Sequence, residues 1–528
     1  MRYLIQNIKL PLEQRGDLLP TLTKGLGIRQ EDLQEWQIVR EAIDARKGQI
    51  YFVYHVEFEL KPSIKLSSKV KWEVLQAPTR AYLPPQPGIK ELEHPPVVVG
   101  AGPAGLFAAL LLAEMGYQPI LLERGAPIEE RIRDVETFWS KGHLNPKSNV
   151  QFGEGGAGTF SDGKLTTQIR DPRVFKVLSE FVSCGAPEEI LYSHKPHIGT
   201  DRLRRVVIRM RQRILALGGS IHFHTKMDSL ILRNQQIIGV QLENGSVIST
   251  ESVILAIGHS ARETFQTLFD QGVLMEAKAF SLGVRIEHLQ EWIDTAQYRN
   301  WAGHVNLDPA EYKLVYHTSS GRTVYTFCMC PGGQVVASAS EEGHLVTNGM
   351  SYYARDGKNA NSALLVGVSP QDFASTHPLA GIEFQREWEQ KAYVAGNGKF
   401  IAPIQRVDGF LKNSATYSAG QVEPSYQPGV QPANMASLLP NFVVSALQEA
   451  LPQLGQKMRG FDHPQSILTG VESRSSSPLR ILRNQLGEAN FTGLFPAGEG
   501  AGYAGGIVSS AVDGLRSAEL LIQQYRMR

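Results

Sequence analysis

The stretch Pro96-Val97-Val98-Val99-Gly100-Ala101-Gly102-Pro103-Ala104-Gly105, followed by the apolar run Leu106 to Met115 and then Pro119-Ile120-Leu121-Leu122-Glu123, constrains this chain more than any other. It reads as strand, glycine turn, helix, strand and acid. The valine triplet has the β-branched content of a buried parallel strand, and Leu106 to Met115, rich in Ala and Leu and without breakers, suits a buried helix. Gly100 permits the tight turn, Gly102 lets main-chain amides approach a pyrophosphate, and Gly105 allows helix and strand to pack closely. An anion at that helix N-terminus meets unpaired N–H groups and the favourable end of the helix dipole. Glu123 stands where a carboxylate can accept both ribose hydroxyls of an adenosine. Glycine is common here, 50 of 528 residues, so the glycine spacing alone is weak; strand, helix, spacing and acid together predict a dinucleotide-binding unit.

A chain of 528 residues is too long for one core, so two or three domains are expected. With 53 basic and 52 acidic residues, no general attraction to nucleic acid or anionic lipid is expected. Three cysteines, two of them one residue apart, do not make a secreted disulfide framework and point to a reducing compartment. The first residues lack the apolar core and cleavage site of a signal peptide, and no apolar run reaches the roughly 18 residues of a membrane span. The expectation is a cytoplasmic protein with no membrane partner.

Residues 1–90 read as a small α+β module: a strand over Tyr3 to Leu10, a helix over Leu12 to Leu26 ending at Gly27, and strands at Trp36 to Val39 and Ile50 to Leu60, with Arg40 to Gly48 as a charged connection. Its 14 basic residues against 10 acidic suit a solvated face better than an RNA site. Pro84 to Gly88 and His94-Pro95-Pro96 mark a stiff linker. Beyond Glu123 comes a long polar helix, then Asn149 to Leu165 with five glycines between Gly153 and Gly163. Such a loop can wrap an anionic or planar ligand with main-chain N–H groups, and Gly158, Ser161, Gly163 and Lys164 are its candidate contacts; Phe152, Phe160 and Leu165 are not solvent-loop residues. Asp201 to Leu217 puts its apolar residues on one helical face and most of its arginines on an exposed one. Ile221 to Met227, Ser229 to Leu232, Ile237 to Leu242 and Ser252 to Gly258 follow as strands, with Asn244-Gly245 as a hairpin turn. His222 and His224 would share a strand face, but without a third ligand no metal site is expected.

These residues resemble the flavoproteins of the glutathione-reductase-like FAD/NAD(P)-binding fold. That family has the glycine unit with a following Glu-terminated strand, then a returning Val253-Ile254-Leu255-Ala256-Ile257-Gly258, then Gly493-Leu494-Phe495-Pro496-Ala497-Gly498-Glu499-Gly500, in this order. Most specifically, the chain resembles a bacterial group of uncharacterised FAD-dependent dehydrogenases, which share a small N-terminal module with Ile43-Asp44-Ala45-Arg46 and an inserted Cys328-Met329-Cys330-Pro331-Gly332-Gly333. The resemblance implies an α/β architecture: a Rossmann-like FAD-binding domain with a large inserted α+β substrate domain and the small N-terminal α+β module. The expected divisions are 1–90, 94–268 for the first part of the FAD domain, 269–465 for the insertion, and 466–528 for the FAD domain's C-terminal part.

Carried over by position, the resemblance implies that Gly100, Gly102, Pro103, Ala104 and Gly105 face the pyrophosphate and that Glu123, with Arg124 beside it, faces the ribose. It places the main chain of Met227 at the adenine and Gly498 and Glu499 near the ribityl chain and pyrophosphate, and it counts Gly258, at the end of the returning strand, among the cofactor-binding residues. Gly505, Gly506 and Ile507 open a final helix to about Gln524, whose N-terminus would aim at the flavin pyrimidine ring. Asp is common where Glu499 stands. No second G-x-G-x-x-G follows a strand after Gly105, so NAD(P)H would bind only transiently, as electron donor.

The insertion, with Trp292, Trp301 and Trp388 and many Tyr, is where a small-molecule substrate would meet the flavin. Cys328 and Cys330 are the catalytic candidates, since an i, i+2 pair on a strand turns both sulfurs to one face; buried packing is the alternative. Arg285, His304 and His317 are weaker candidates for substrate contact. The implied function is an FAD-dependent oxidoreductase passing a hydride between substrate and flavin, with a tRNA-modifying flavoenzyme or a non-catalytic flavin-binding protein as alternatives. Oligomeric state stays open.

Overall fold

Val97–Val99 forms the centre of a five-stranded sheet, in the order Leu494–Pro496, Val253–Leu255, Val97–Val99, Ile120–Leu122, Ser220–His222. Every pair is parallel. This computed structural model describes residues 2–46, 48–66, 70–78, 81–414 and 418–527. A strand covered on both faces carries apolar residues continuously, and all three valines are buried. The helix Pro103–Glu114 is apolar all round because it is enclosed, lying between the sheet and the final helix Ile507–Gln524. The two helices cross so closely at Gly514 that a Cβ there would stand 2.0 Å from the Ala104 carbonyl oxygen.

The insertion is built on a seven-stranded sheet, ordered Val315–His317, Thr323–Cys330, Asn359–Val368, Phe280–Leu289, Ile467–Glu472, Ala402–Arg406, Val430–Pro432. Phe280–Leu289 is buried along its whole length and pairs antiparallel with both neighbours. This sheet runs past residue 465, where the FAD domain was expected to resume. Ile467–Glu472 is held by Phe280–Leu289 on one side and Ala402–Arg406 on the other, and all six of its residues are buried.

The N-terminal module is a four-stranded antiparallel sheet, ordered Leu33–Asp44, Tyr51–Leu60, Arg2–Pro11, Val74–Gln76, with the helix Leu18–Leu26 packed on it. Gly27, at φ 69°, ends that helix as its sequence suggests. The single helix expected over Leu12 to Leu26 is instead a 3₁₀ segment, Leu12–Asp17, followed by the α-helix, because Gln14 leaves helical geometry before Gly16. Most of the expected connection Arg40 to Gly48 is strand, paired with its neighbour as far as Asp44 opposite Tyr51. The same strand docks the module: Glu41 N–H donates to Tyr192 O at 2.7 Å, and His194 N–H donates to Glu41 O at 2.8 Å.

Two further expectations change. The strand read over Ile221 to Met227 is broken at His224, whose φ is 52°; Ser220–His222 belongs to the parallel sheet, and Met227–Arg233 starts a three-stranded antiparallel one. His222 and His224 therefore share no strand face. The helix Thr200–Ala216 leaves few of its arginines free in solvent. Arg213 pairs with Glu114 and Glu180, Arg211 with Glu129, and the Arg202 and Arg204 guanidiniums lie over the rings of Tyr353 and Phe160. No helix among the described residues is long and apolar enough to cross a membrane.

Candidate functional site

At the C-terminal edge of the parallel sheet one cavity gathers segments spread between Val99 and Ser510, the usual place for a ligand in an open α/β sheet. Gly100, Gly102, Pro103 and Ala104 form one wall, with Glu123, Arg124 and Met227 beside them. Gly158, Ser161 and Lys164 come from the glycine-rich loop, and Gly258, Glu499, Gly505, Gly506 and Ile507 from the two returning segments. Cys328 enters from the insertion.

Each glycine has its own cause. Gly100, at φ 103°, would bring a Cβ to 2.3 Å from Ala256 O. Gly102 has room: a Cβ would meet only Gly156 Cα, at 3.8 Å, and would take space from the cavity itself. Gly505 likewise has nothing within 4 Å of a Cβ. These bare positions form a backbone cradle with two helix N-termini in its wall, which fits a pyrophosphate-bearing cofactor.

Four of the expected cofactor-binding and catalytic residues lie outside the wall. Gly105 is behind it, where a Cβ would stand 1.8 Å from Gly100 O, so it sets how closely the helix seats on the turn. Gly163, at φ 67°, turns the loop against Gly199. Gly498 backs onto Ala104 and donates its N–H to Asp513 at 2.7 Å. Cys330 is fully buried behind Cys328. The two sulfurs do not share a strand face as expected, because the pairing of Thr323–Cys330 with Asn359–Val368 slips between Phe327 and Cys330, and Cys328 has φ 42°.

Glu123 is more occupied than its sequence position suggests. Its carboxylate accepts from Ala101 N–H at 2.8 Å, Gly125 N–H at 2.8 Å and Gly153 N–H at 3.0 Å, tying the turn to the glycine-rich loop. A carboxylate has about four acceptor positions, so one stays open to the cavity. Arg124 lies over the Phe152 ring at 4.0 Å and pairs with Glu263.

The insertion end of the cavity is polar and was largely missed from sequence: Asn348, Glu472, Arg474 and Ser475 line it, with His259 and Ser260 from the FAD domain. Arg474 donates to Ser260 Oγ at 3.0 Å, to Ser340 Oγ at 2.6 Å and to both Glu389 oxygens, while Arg262 takes Glu389 from the other side. This buried cluster fixes the insertion on the FAD domain next to the cavity. Burial, then Arg474 and Arg262, push the His259 imidazole down to about 3, so it is neutral at ordinary pH. Burial raises Glu499 to about 7, opposed by Lys278. Arg285 does not reach the cavity; it is fully buried among Glu472, Asn361 and the Cys328 carbonyl. His304 and His317 are not part of the wall.

Residues 93–133 match the family described as an FAD binding domain, and residues 279–475 the family described as FAD-dependent protein, C-terminal domain-like. Residues 2–59 match a domain of unknown function. A protein of Clostridium beijerinckii, itself uncharacterized, is 46% identical over 526 residues, which span 99% of this chain and 98% of that one. Among solved structures, a geranylgeranyl bacteriochlorophyll reductase-like protein of Thermoplasma acidophilum is similar over 82% of this chain and 78% of its own, at 14% identity and TM-score 0.36. CtdE in complex with FAD is similar over 80% of this chain and 82% of its own, at 12% identity and TM-score 0.30. With the glycine cradle, the Glu123 strand and both FAD-family matches in one chain, this protein belongs, together with its Clostridium beijerinckii relative, to a family of FAD-dependent flavoproteins.

Proposed function

We propose that the protein is an FAD-dependent oxidoreductase that holds its cofactor noncovalently and passes a hydride between a small-molecule substrate and the flavin. The observation that carries this reading is a single cavity lined both by bare glycine backbone and by the insertion's polar side chains. When bound, FAD supplies the two-electron chemistry.

The protein's own residues hold and orient. Gly100, Gly102 and the N-terminus of Pro103–Glu114 take the pyrophosphate, and the open acceptor position of Glu123 takes the ribose. The N-terminus of Ile507–Gln524, with Gly505 and Gly506, offers N–H groups and a positive dipole end to the negative charge of a reduced flavin ring. Asn348 and Glu472, which line the cavity from the insertion, orient a polar substrate, and Arg474 holds that wall in position. NAD(P)H serves as a transient electron donor. The alternative of tRNA binding draws no support from the arginine helix, whose side chains are largely engaged in ion pairs and ring contacts.

Purified protein should be yellow, release FAD on heating, and lose flavin absorbance when mixed anaerobically with NADH or NADPH. Colourless protein that FAD cannot reconstitute would overturn the assignment. A flavin that no donor bleaches would favour a non-catalytic flavin-binding role.

A further inference from the structure

We propose that a second cavity, where the N-terminal module meets the FAD domain and the insertion, binds a small organic cation, a molecule carrying a primary amine or a guanidinium. Its volume is about 520 Å³, within the roughly 300–1,000 Å³ of small-molecule sites, which favour domain interfaces. Among the described residues none lines both this cavity and the flavin cavity. Glu41, Ile43 and Ala45, alternate residues at the end of Leu33–Asp44, line it from the module. The stretch Ile43-Asp44-Ala45-Arg46, which the flavin site does not use, thereby gains a place in a ligand wall. Segments 192–197 of the FAD domain and 308–311 of the insertion complete that wall. The hydrogen bonds of Glu41 with Tyr192 and His194 hold two of its sides together.

The charges of this wall do not cancel. Glu41, Glu189, Asp308 and Glu311 line it, against the cations Arg15, Lys195 and Arg355. Every cation is already matched. Arg15 pairs with Glu41 at 2.8 Å, Lys195 with Glu311 at 3.7 Å, and Arg355 with Glu311 at 2.8 Å and with Asp162 behind the wall. Glu189 and Asp308 form no ion pair with any described residue; Glu189 accepts from the Tyr353 hydroxyl, and the Asp308 carboxylate accepts no hydrogen bond. Burial pushes the His194 and His197 imidazoles below their ordinary value, and Arg40 and Arg355 act in the same direction, so neither ring supplies a positive charge at neutral pH. Tyr192 and Tyr298 add aromatic wall. An ammonium or guanidinium gains charge-assisted hydrogen bonds from the two unmatched carboxylates and attraction from the tyrosine rings. An anion would meet the same carboxylates with every cation engaged. The occupant would lie one ion pair from the flavin cavity, since Glu311 lines one cavity and Lys164, its partner at 3.6 Å, lines the other.

The test is isothermal titration calorimetry of the full-length protein as purified, with agmatine as the organic cation, butanediol as the neutral control and succinate as the anion. Agmatine should bind with a Kd below about 1 mM, and the other two should give no saturable heat. Glu189→Gln combined with Asp308→Asn keeps side-chain size and hydrogen-bonding capacity but removes both charges. It should weaken agmatine about tenfold or more and leave the ratio of flavin to protein absorbance unchanged. Ala45→Trp, which fills the cavity from the module side, should abolish the binding. Equal agmatine affinity in wild type and the double variant, tighter binding of succinate, or no heat from agmatine up to about 10 mM would overturn the proposal. To cover a variant that fails to fold, the wild-type order of agmatine over succinate decides alone. Flavin content reports on the other cavity separately: colourless protein that still binds agmatine would sink the cofactor assignment and leave this one standing.

Discussion

Arg285 and Glu472 form a buried pair in which one guanidinium nitrogen lies 2.9 and 3.1 Å from the two carboxylate oxygens. Glu472 faces the cavity and Arg285 does not, so the pair transmits the packing of the insertion's sheet to the cofactor site. Removing one partner leaves the other charge buried and uncompensated, which costs about 3–5 kcal/mol. Arg285→Met should lose stability of that order in urea denaturation, and Glu472→Gln, which keeps a hydrogen bond to the guanidinium, should lose less. A loss below about 1 kcal/mol for Arg285→Met would show that water reaches the pair.

Gly102 and Gly105 separate binding from packing. A methyl at Gly102 has room and enters the cavity, so Gly102→Ala should fold with near wild-type stability and come out of purification with little flavin. A methyl at Gly105 collides with Gly100 O, so Gly105→Ala should be destabilised by several kcal/mol, in the upper range for single substitutions. The measurements are the ratio of flavin to protein absorbance and the thermal midpoint of flavin-free protein. Equal thermal midpoints for the two variants would contradict this division.

The parts of the site legible in the sequence are those that local rules determine. The strand Val97–Val99, the turn at Gly100 and the acid at Glu123 are continuous in the chain, and the final helix announces itself through Gly505 and Gly506. What escaped is what distant segments create. Arg262 and Glu389 are 127 positions apart and Arg474 and Ser260 are 214, and no periodicity in either segment signals their meeting. The break at Cys328 was equally hidden, since its residue has no turn-forming side chain and the slip depends on the neighbouring strand. The arginine helix misled because helical spacing shows which face is apolar but not that Glu114, Glu129 and Glu180 wait opposite the polar one.

His259 offers a spectroscopic check of the buried cluster. With burial and two guanidiniums pressing its pKa down to about 3, its ring should stay neutral across the ordinary range. The ring-proton NMR shift of His259, assigned through His259→Gln, should stay flat from pH 8 to pH 5. A midpoint near 6.5, the value of a free histidine, would mean that solvent screens Arg262 and Arg474 at this position.

Glu499 gives the cavity a pH-dependent stability whose sign is fixed. Burial raises its carboxyl from 4.5 to about 7, so between those values the folded protein holds a proton that the unfolded chain has released. Protonation therefore favours the folded state. The contribution is full below about pH 4.5 and is lost as pH rises through about 7. Glu499→Gln carries no titrating group and keeps a neutral side chain of the same length. In flavin-free protein, the variant should lie close to wild type in unfolding free energy from urea denaturation at pH 4.5 and exceed it at pH 8, by about 3 kcal/mol. Comparing the two proteins at each pH cancels the other titrating groups. Should wild type gain on the variant as pH rises, the attraction of Lys278 would outweigh burial, and Glu499 would enter the flavin site as a carboxylate.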